Sequence, residues 1–283
     1  YGGFIKMIKN IYKKYRFLIA RRITQISVMV LYIIANVFGI NILMGNLSSS
    51  LISGIVPLSD PYAVAQMVFA GAIISFDLLL GAFIITIFYM IVGGRSFCSW
   101  ICPVNMITDL ANYLRRRFGF NQIQKKQPAS RNIRYWVIAI SFIISFFMGV
   151  AAFELISPVS MVHRGIIFGL GFGWATILII FLFDLFVLKN GWCGHICPLG
   201  GFYSLVGRFS LIRVHHNADN CTACMKCKEV CPENQVLHMI TKTSIPVLSG
   251  ECTNCGRCVE VCDDDALNFS IKNLKKENKN EVR

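Results

Sequence analysis

Charged residues are scarce in this chain of 283: only 15% are Asp, Glu, Lys or Arg, and the 15 acidic side chains face 28 basic ones. Long polar stretches are missing between residues 23 and 190, which are mostly apolar. This argues against a large soluble core of buried helices, because such helices rarely stay apolar on every face for so long. Basic residues are nearly absent from segments 45–63 and 154–164, where Arg164 stands alone. They crowd instead at Lys6, Lys9, Lys13, Lys14, Arg16, Arg21 and Arg22, and at Arg95, Arg115, Arg116, Arg117, Lys125, Lys126 and Arg131. The formal net charge of +13 therefore reads as membrane topology and contact with anionic lipid, with no nucleic-acid partner implied.

A bilayer-spanning helix needs about 20 apolar residues, and four stretches qualify: Ile23–Met44, Val64–Val92, Tyr135–Phe153 and Gly165–Leu188. The second is long enough to tilt or break, since it carries Gly71, Gly81 and the ionisable Asp77. Basic loops tend to stay in the cytoplasm, which places both termini there and makes 45–63 and 154–164 outer loops. The first apolar run is too long for a cleavable signal peptide and is read as an anchor.

Cysteine supplies the chemistry. Cys221-x2-Cys224-x2-Cys227-x3-Cys231-Pro232 and Cys252-x2-Cys255-x2-Cys258-x3-Cys262 repeat one spacing. Three thiolates of such a run wrap one cube, and the fourth reaches the other cluster. The spacing predicts two [4Fe–4S] clusters, one on Cys221, Cys224, Cys227 and Cys262, the other on Cys252, Cys255, Cys258 and Cys231. Zinc sites more often use two Cys pairs, and disulfides need an oxidising compartment.

The other four cysteines form a second repeat, Cys98-x3-Cys102-Pro103 and Cys193-x3-Cys197-Pro198, each at the inner exit of an expected span. On a helix, positions i and i+4 share a face, so the two motifs are read as a possible additional redox or metal site. Simple packing of small apolar side chains is the alternative.

The predicted fold is a membrane all-α four-helix transmembrane bundle with a C-terminal α+β bacterial-type two-[4Fe–4S] ferredoxin domain. Residues 1–22 form a basic arm, 23–213 the transmembrane domain, 214–271 the ferredoxin domain with strands at Ile212–His216 and Leu267–Ile271, and 272–283 a charged tail.

The chain resembles the NapH-type membrane ferredoxins. The resemblance rests on Gly45-Asn46-Leu47-Ser48-Ser49-Ser50-Leu51, on Val56-Pro57-Leu58-Ser59-Asp60-Pro61, and on Phe97-Cys98-Ser99-Trp100-Ile101-Cys102-Pro103 continuing through Thr108-Asp109-Leu110-Ala111-Asn112. It also rests on Gly191-Trp192-Cys193-Gly194-His195-Ile196-Cys197-Pro198 and the two ferredoxin runs. It implies a quinol dehydrogenase component in a bacterial inner membrane, oxidising menaquinol or ubiquinol and feeding a periplasmic nitrate reductase pathway through a NapG-type iron–sulfur partner. An assembly or docking subunit with no quinol turnover of its own is the alternative.

Quinol oxidation needs an apolar slot, a base and a one-electron acceptor. Asp77, Asp184 and His195 are candidates for the base. Asp184 and Glu154 are read first as carboxylates solvated at helix ends, and His163 as a residue of the outer surface. Trp100 and Trp192 sit where interfacial anchors belong.

Overall fold

The computed structural model describes residues 2–40, 42–119, 130–169, 171 and 173–271. Lys125, Lys126 and the expected charged tail lie outside the described residues. The chain opens with α1 (Gly2–Phe38), which departs from helical geometry at Tyr15 (φ −123°, ψ 19°). Past that kink the backbone N–H groups of Phe17 and Leu18 donate to the Glu260 carboxylate, the latter at 2.9 Å. Glu260 thereby satisfies donors that a new helix start leaves open. Tyr15–Phe38 is the one helix among the described residues long and apolar enough to cross a membrane by length and composition.

The expected outer loop at 45–63 is instead an antiparallel sheet of β1 (Leu43–Gly45), β2 (Ser49–Ile52) and β3 (Val56–Ser59), paired in that order. The N-terminal domain is therefore not all-α. The sheet packs close because α3 (Phe76–Val92) carries Gly81, where a Cβ would lie 2.9 Å from the Ser59 backbone nitrogen. Asp60 follows β3 and caps α2 (Pro61–Phe69): its Oδ1 accepts the Tyr62 N–H at 3.2 Å, with Pro61 in the first helical turn.

The second expected span is thus two helices, α2 and α3, interrupted at residues 70–75. After α4 (Ser96–Trp100) and α5 (Val104–Arg117) come α6 (Ile133–Met148) and α7 (Ala152–Ile156). The fourth expected span is likewise divided, into α8 (Pro158–Phe168) and α9 (Gly173–Leu182), with Gly169 at φ +103° ending the first. A π-helical turn at Phe183–Val187 continues α9. The apolar helices Phe76–Val92, Ile133–Met148 and Gly173–Val187 are each shorter than Tyr15–Phe38.

A second π-helical turn (Trp192–Ile196) leads through α10 (Pro198–Val206) to the C-terminal domain. There β4 (Ile212–His216) and β5 (Leu267–Ile271) occupy the residues expected of them and pair antiparallel, from Ile212 with Ile271 to His216 with Leu267. Between them lie the short helices α11 (Lys226–Val230) and α12 (Arg257–Glu260). Val214, Leu237, Met239, Ile240, Val247 and Leu267 form the domain's buried core.

Candidate redox site

The two ferredoxin runs share one backbone design. In the first, Ala223 (φ +60°) and Met225 (φ +59°) are left-handed; in the second, Asn254 (φ +47°) and Gly256 (φ +75°) are left-handed at the equivalent places. Each run then enters a short helix, α11 or α12. Alternating left-handed residues curl successive N–H groups inward, a concavity suited to an anionic iron–sulfur core. Met225 tolerates this geometry with a side chain, but a Cβ on Gly256 would meet the Phe17 ring at 2.4 Å.

Electrostatic neighbourhoods divide the eight cysteines. Burial raises the Cys227 thiol, and the cysteines adding to the shift are Cys224, Cys262 and Cys221. Burial likewise pushes Cys231 well up, with Cys255 and Cys252 as its cysteine neighbours. Cys258 is raised by burial and then by Cys255, Cys252 and Cys231, ahead of Cys227. Cys231, Cys252, Cys255 and Cys258 line one small cavity together with Val214, Val236 and Val247. Among the described residues no three His, Cys, Asp or Glu side chains are arranged to hold a bare metal ion. Four thiols facing one cavity, which Glu233 and Thr253 also line, suit an iron–sulfide cube, whose metal charge favours thiolates that burial alone disfavours.

The C-x3-C-P motifs are also brought together. Each closes through an i+5 hydrogen bond, Cys102 N to Phe97 O at 3.0 Å and Cys197 N to Trp192 O at 2.9 Å. The ordinary i, i+4 helical spacing assumed from sequence is therefore widened, a local geometry frequent at functional sites. Pro103 and Pro198 stand at the starts of α5 and α10 rather than merely ending a helix. Cys193 is raised by burial and then by Cys197, Cys102 and, further down, Cys98. Cys98 and Cys193 share a second small cavity with Cys255, walled by Arg95, Glu233 and Arg257.

Buried ion pairs fix the two halves against each other. Arg95, 1% exposed, donates to Glu233 at 2.7 Å and to the Cys193 carbonyl at 3.0 Å. Arg131 also pairs with Glu233, and Arg134 with Glu251. Asp109 joins Arg22 at 2.5 Å and Arg257; burial pushes its carboxyl up, but Arg257, Arg21 and Arg22 more than offset this and hold it below the usual range.

The candidate bases fall in different places. Asp77 is exposed in the first turn of α3, where the helix dipole favours a carboxylate, not in mid-span. Asp184 is fully buried rather than solvated: its Oδ1 accepts the Trp192 N–H at 3.0 Å, and its carbonyl accepts from Arg115. The first of these bonds ties it to the turn that carries Cys193. His195 is buried, and its pKa is lowered by burial and by Arg131. His163 is buried edge-on to Tyr32 at 4.7 Å, and burial lowers its pKa to about 4. Glu154 Oε1 accepts the Ser48 and Ser160 hydroxyls. Trp100 is a docking residue, donating to the Asn254 carbonyl at 3.0 Å, and Trp192 is half-buried within the core beside Cys197.

Sequence reading missed Asp60. Tyr203, 143 positions away, donates to its Oδ1 at 3.4 Å. Burial raises the Asp60 carboxyl to about 7, despite the Tyr62 N–H and with a further push from Glu154. The only local signal was Ser59-Asp60-Pro61, which reads as a helix cap.

A 4Fe-4S binding domain model matches residues 74–121 and again 170–215, one C-x3-C-P motif in each, and a 4Fe-4S dicluster domain model matches 213–263. Fold and cysteine pattern thus define an iron–sulfur electron-transfer protein of the ferredoxin type. The chain belongs to the family of NapH and MauN ferredoxin-type proteins. It is 43% identical to the ferredoxin-type protein NapH of Escherichia coli, over 81% of this chain and 79% of that protein. It is 42% identical to the methylamine utilization ferredoxin-type protein MauN of Methylorubrum extorquens, over 86% of this chain and 85% of the relative. The MauN of Paracoccus denitrificans is also 42% identical, over 82% and 78%. No solved structure matches the chain.

Proposed function

We propose that this chain is the membrane subunit that oxidises quinol and hands the electrons to iron–sulfur partners, ultimately toward a periplasmic nitrate reductase. The observation that carries the reading is the shared cavity of Cys98, Cys193 and Cys255, which joins the twin motifs to the ferredoxin loops. Cys221, Cys224, Cys227 and Cys262 would hold one [4Fe–4S] cluster and Cys252, Cys255, Cys258 and Cys231 the other. Cys98, Cys102, Cys193 and Cys197 would form an additional redox or metal site. When bound, the clusters accept and pass single electrons. The chain's own part is to bury the thiolates, to lock the loops against α4 through Ser99 and Trp100, and to surround them with Arg95 and Arg257.

The domain reading is a basic arm at 1–22, a four-helix transmembrane domain at 23–213, the ferredoxin domain at 214–271 and a charged tail. Both termini face the cytoplasm of a bacterial inner membrane, a reading supported by the contrast in basic residues. A reporter fused at residue 283 that proved extracytoplasmic would reverse this orientation. The NapG-type partner and nitrate route follow the NapH resemblance. The MauN relatives, at the same level of identity, favour a second reading in which the same core serves methylamine utilisation.

The deciding experiment is spectroscopic. Purified protein in proteoliposomes is given menaquinol or ubiquinol with no partner present. Prompt bleaching of the cluster absorbance is expected. Intact clusters that dithionite reduces and quinol does not would favour the assembly or docking subunit.

A further inference from the structure

A cavity of about 240 Å³ lies between the β1–β3 sheet and α10, on the side of α4 away from the ferredoxin domain. Its walls are largely apolar and aromatic, with Tyr32, Tyr89, Phe97 and Phe153 among them. Ligand sites combine such walls with a few convergent polar groups, and this one has them. Asp60 and Glu154 both line it. The Ser59 hydroxyl also lines it, with Ser59 2% exposed and its oxygen without a hydrogen-bond partner among the described residues. Tyr203 ties the polar end to the redox residues: its hydroxyl reaches Asp60, and its ring stacks on Phe97 at 5.2 Å. Phe97 is next in sequence to Cys98.

A larger groove of about 690 Å³ runs between α1, α5 and α12 on the ferredoxin side. Its carboxylates are already engaged, Asp109 by Arg22 and Arg257, and Glu260 by the Phe17 and Leu18 N–H groups. It offers room, but its Asp109 carboxylate is held by two guanidinium groups.

We propose that the 240 Å³ cavity binds the quinol headgroup, with Asp60 and Glu154 as the acceptors of its two protons. The assignment rests on the quinol reading above. Both quinol O–H bonds break, one proton passing to the Asp60 carboxylate and the other to Glu154. The two electrons leave singly to oxidants of the iron–sulfur class, and the ring departs as quinone. Tyr203 positions Asp60 and closes the inner wall against water, while the unpartnered Ser59 hydroxyl supplies a hydrogen bond to a ring oxygen.

The test is a photoreactive short-tailed quinone analogue added to the intact, cluster-loaded protein in proteoliposomes, followed by peptide mapping. Label is expected within residues 43–60 and 153–160. Label concentrated in 106–116 or 257–261 would move the site to the larger groove and overturn the proposal. Label nowhere, in a protein whose clusters dithionite reduces, would remove the quinol reading itself. This mapping needs no variant. Asp60→Asn adds a second readout: labelling should persist while reduction of the clusters by decylubiquinol slows roughly 100-fold, the lower range for loss of a positioned base. Unchanged reduction by that variant would equally overturn the assignment.

Discussion

The Ser99 hydroxyl donates to the Thr253 carbonyl at 2.7 Å, so the residue after Cys98 is bonded to the residue after Cys252. Beside it Trp100 Nε1 donates to the Asn254 carbonyl, and Asn254 Nδ2 returns to the Val92 carbonyl at 2.8 Å. These bonds couple the two cysteine systems through backbone. Trp100→Phe keeps an aromatic ring, smaller than the indole, and removes the N–H donor, so it should cost at least about 1 kcal/mol. Thermal unfolding followed at the cluster absorbance would measure it.

Arg95 predicts a harsher outcome. It and Glu233 are each nearly inaccessible; Arg131 would still pair with Glu233, but the carboxylate would lose its fully buried partner. Arg95→Met should destabilise the docked state measurably, by less than the roughly 3–5 kcal/mol of a charge left wholly unpaired. The measurement is protease protection of the C-terminal domain in membranes, compared with the exposed pair Lys226–Asp263, where Lys226→Met should change almost nothing.

Much of this organisation was legible in the sequence. The doubled cysteine spacing announced two pseudo-symmetric loops, and β4 and β5 lie at Ile212–His216 and Leu267–Ile271, where the likeness to bacterial-type ferredoxins placed them. The matched neighbours of Cys98 and Cys193 suggested convergence, and their mutual electrostatic influence is consistent with it. Spans were read less well, because hydropathy sees Val64–Val92 and Gly165–Leu188 as continuous while the breaks at 70–75 and Gly169 are set by backbone geometry. Asp60 was illegible for another reason. Its interest comes from Tyr203 and Glu154, both brought to it by folding.

Asp60 gives a pH prediction whose sign can be worked out. Its folded pKa is raised from 3.8 to about 7, so between those values the folded protein holds a proton the unfolded chain has lost. That contribution makes folding less favourable as pH rises through the window. Quinol oxidation should run the opposite way, speeding up through about pH 7 as the carboxylate becomes free to accept a proton. The charged and titratable groups around it are Glu154 on α7, Tyr203 on α10, Tyr89 on α3, and Tyr62 beside it on α2. Stopped-flow reduction of the clusters between pH 5.5 and 8.5, roughly the span a group near neutrality covers, should show the rise. Asp60→Asn should flatten it.

The crossed ligation predicts that the fourth cysteine of each run reports on the opposite cluster. Cys231→Ser should perturb the centre shared with Cys252, Cys255 and Cys258, and Cys262→Ser the one shared with Cys221, Cys224 and Cys227. Paramagnetic resonance of the reduced variants would show which signal survives. If Cys231→Ser altered the same signal as Cys221→Ser, each run would be closing on its own cube.

Cys98, Cys102, Cys193 and Cys197 should behave as one unit. All four pack in one apolar cluster, and if they form one four-thiolate set, loss of any member disables the whole. Single Cys→Ser changes in either motif should therefore slow quinol-driven electron flow to a similar extent. Combining them should add little, because coupled residues are non-additive. Both ferredoxin clusters should remain assembled, since the shared cavity brings in Cys255 but the motif cysteines belong to neither ligand set. Simple packing predicts mild and independent effects from so small a change. A quadruple Ser variant delivering electrons at the normal rate would therefore show that these four thiols only fill space.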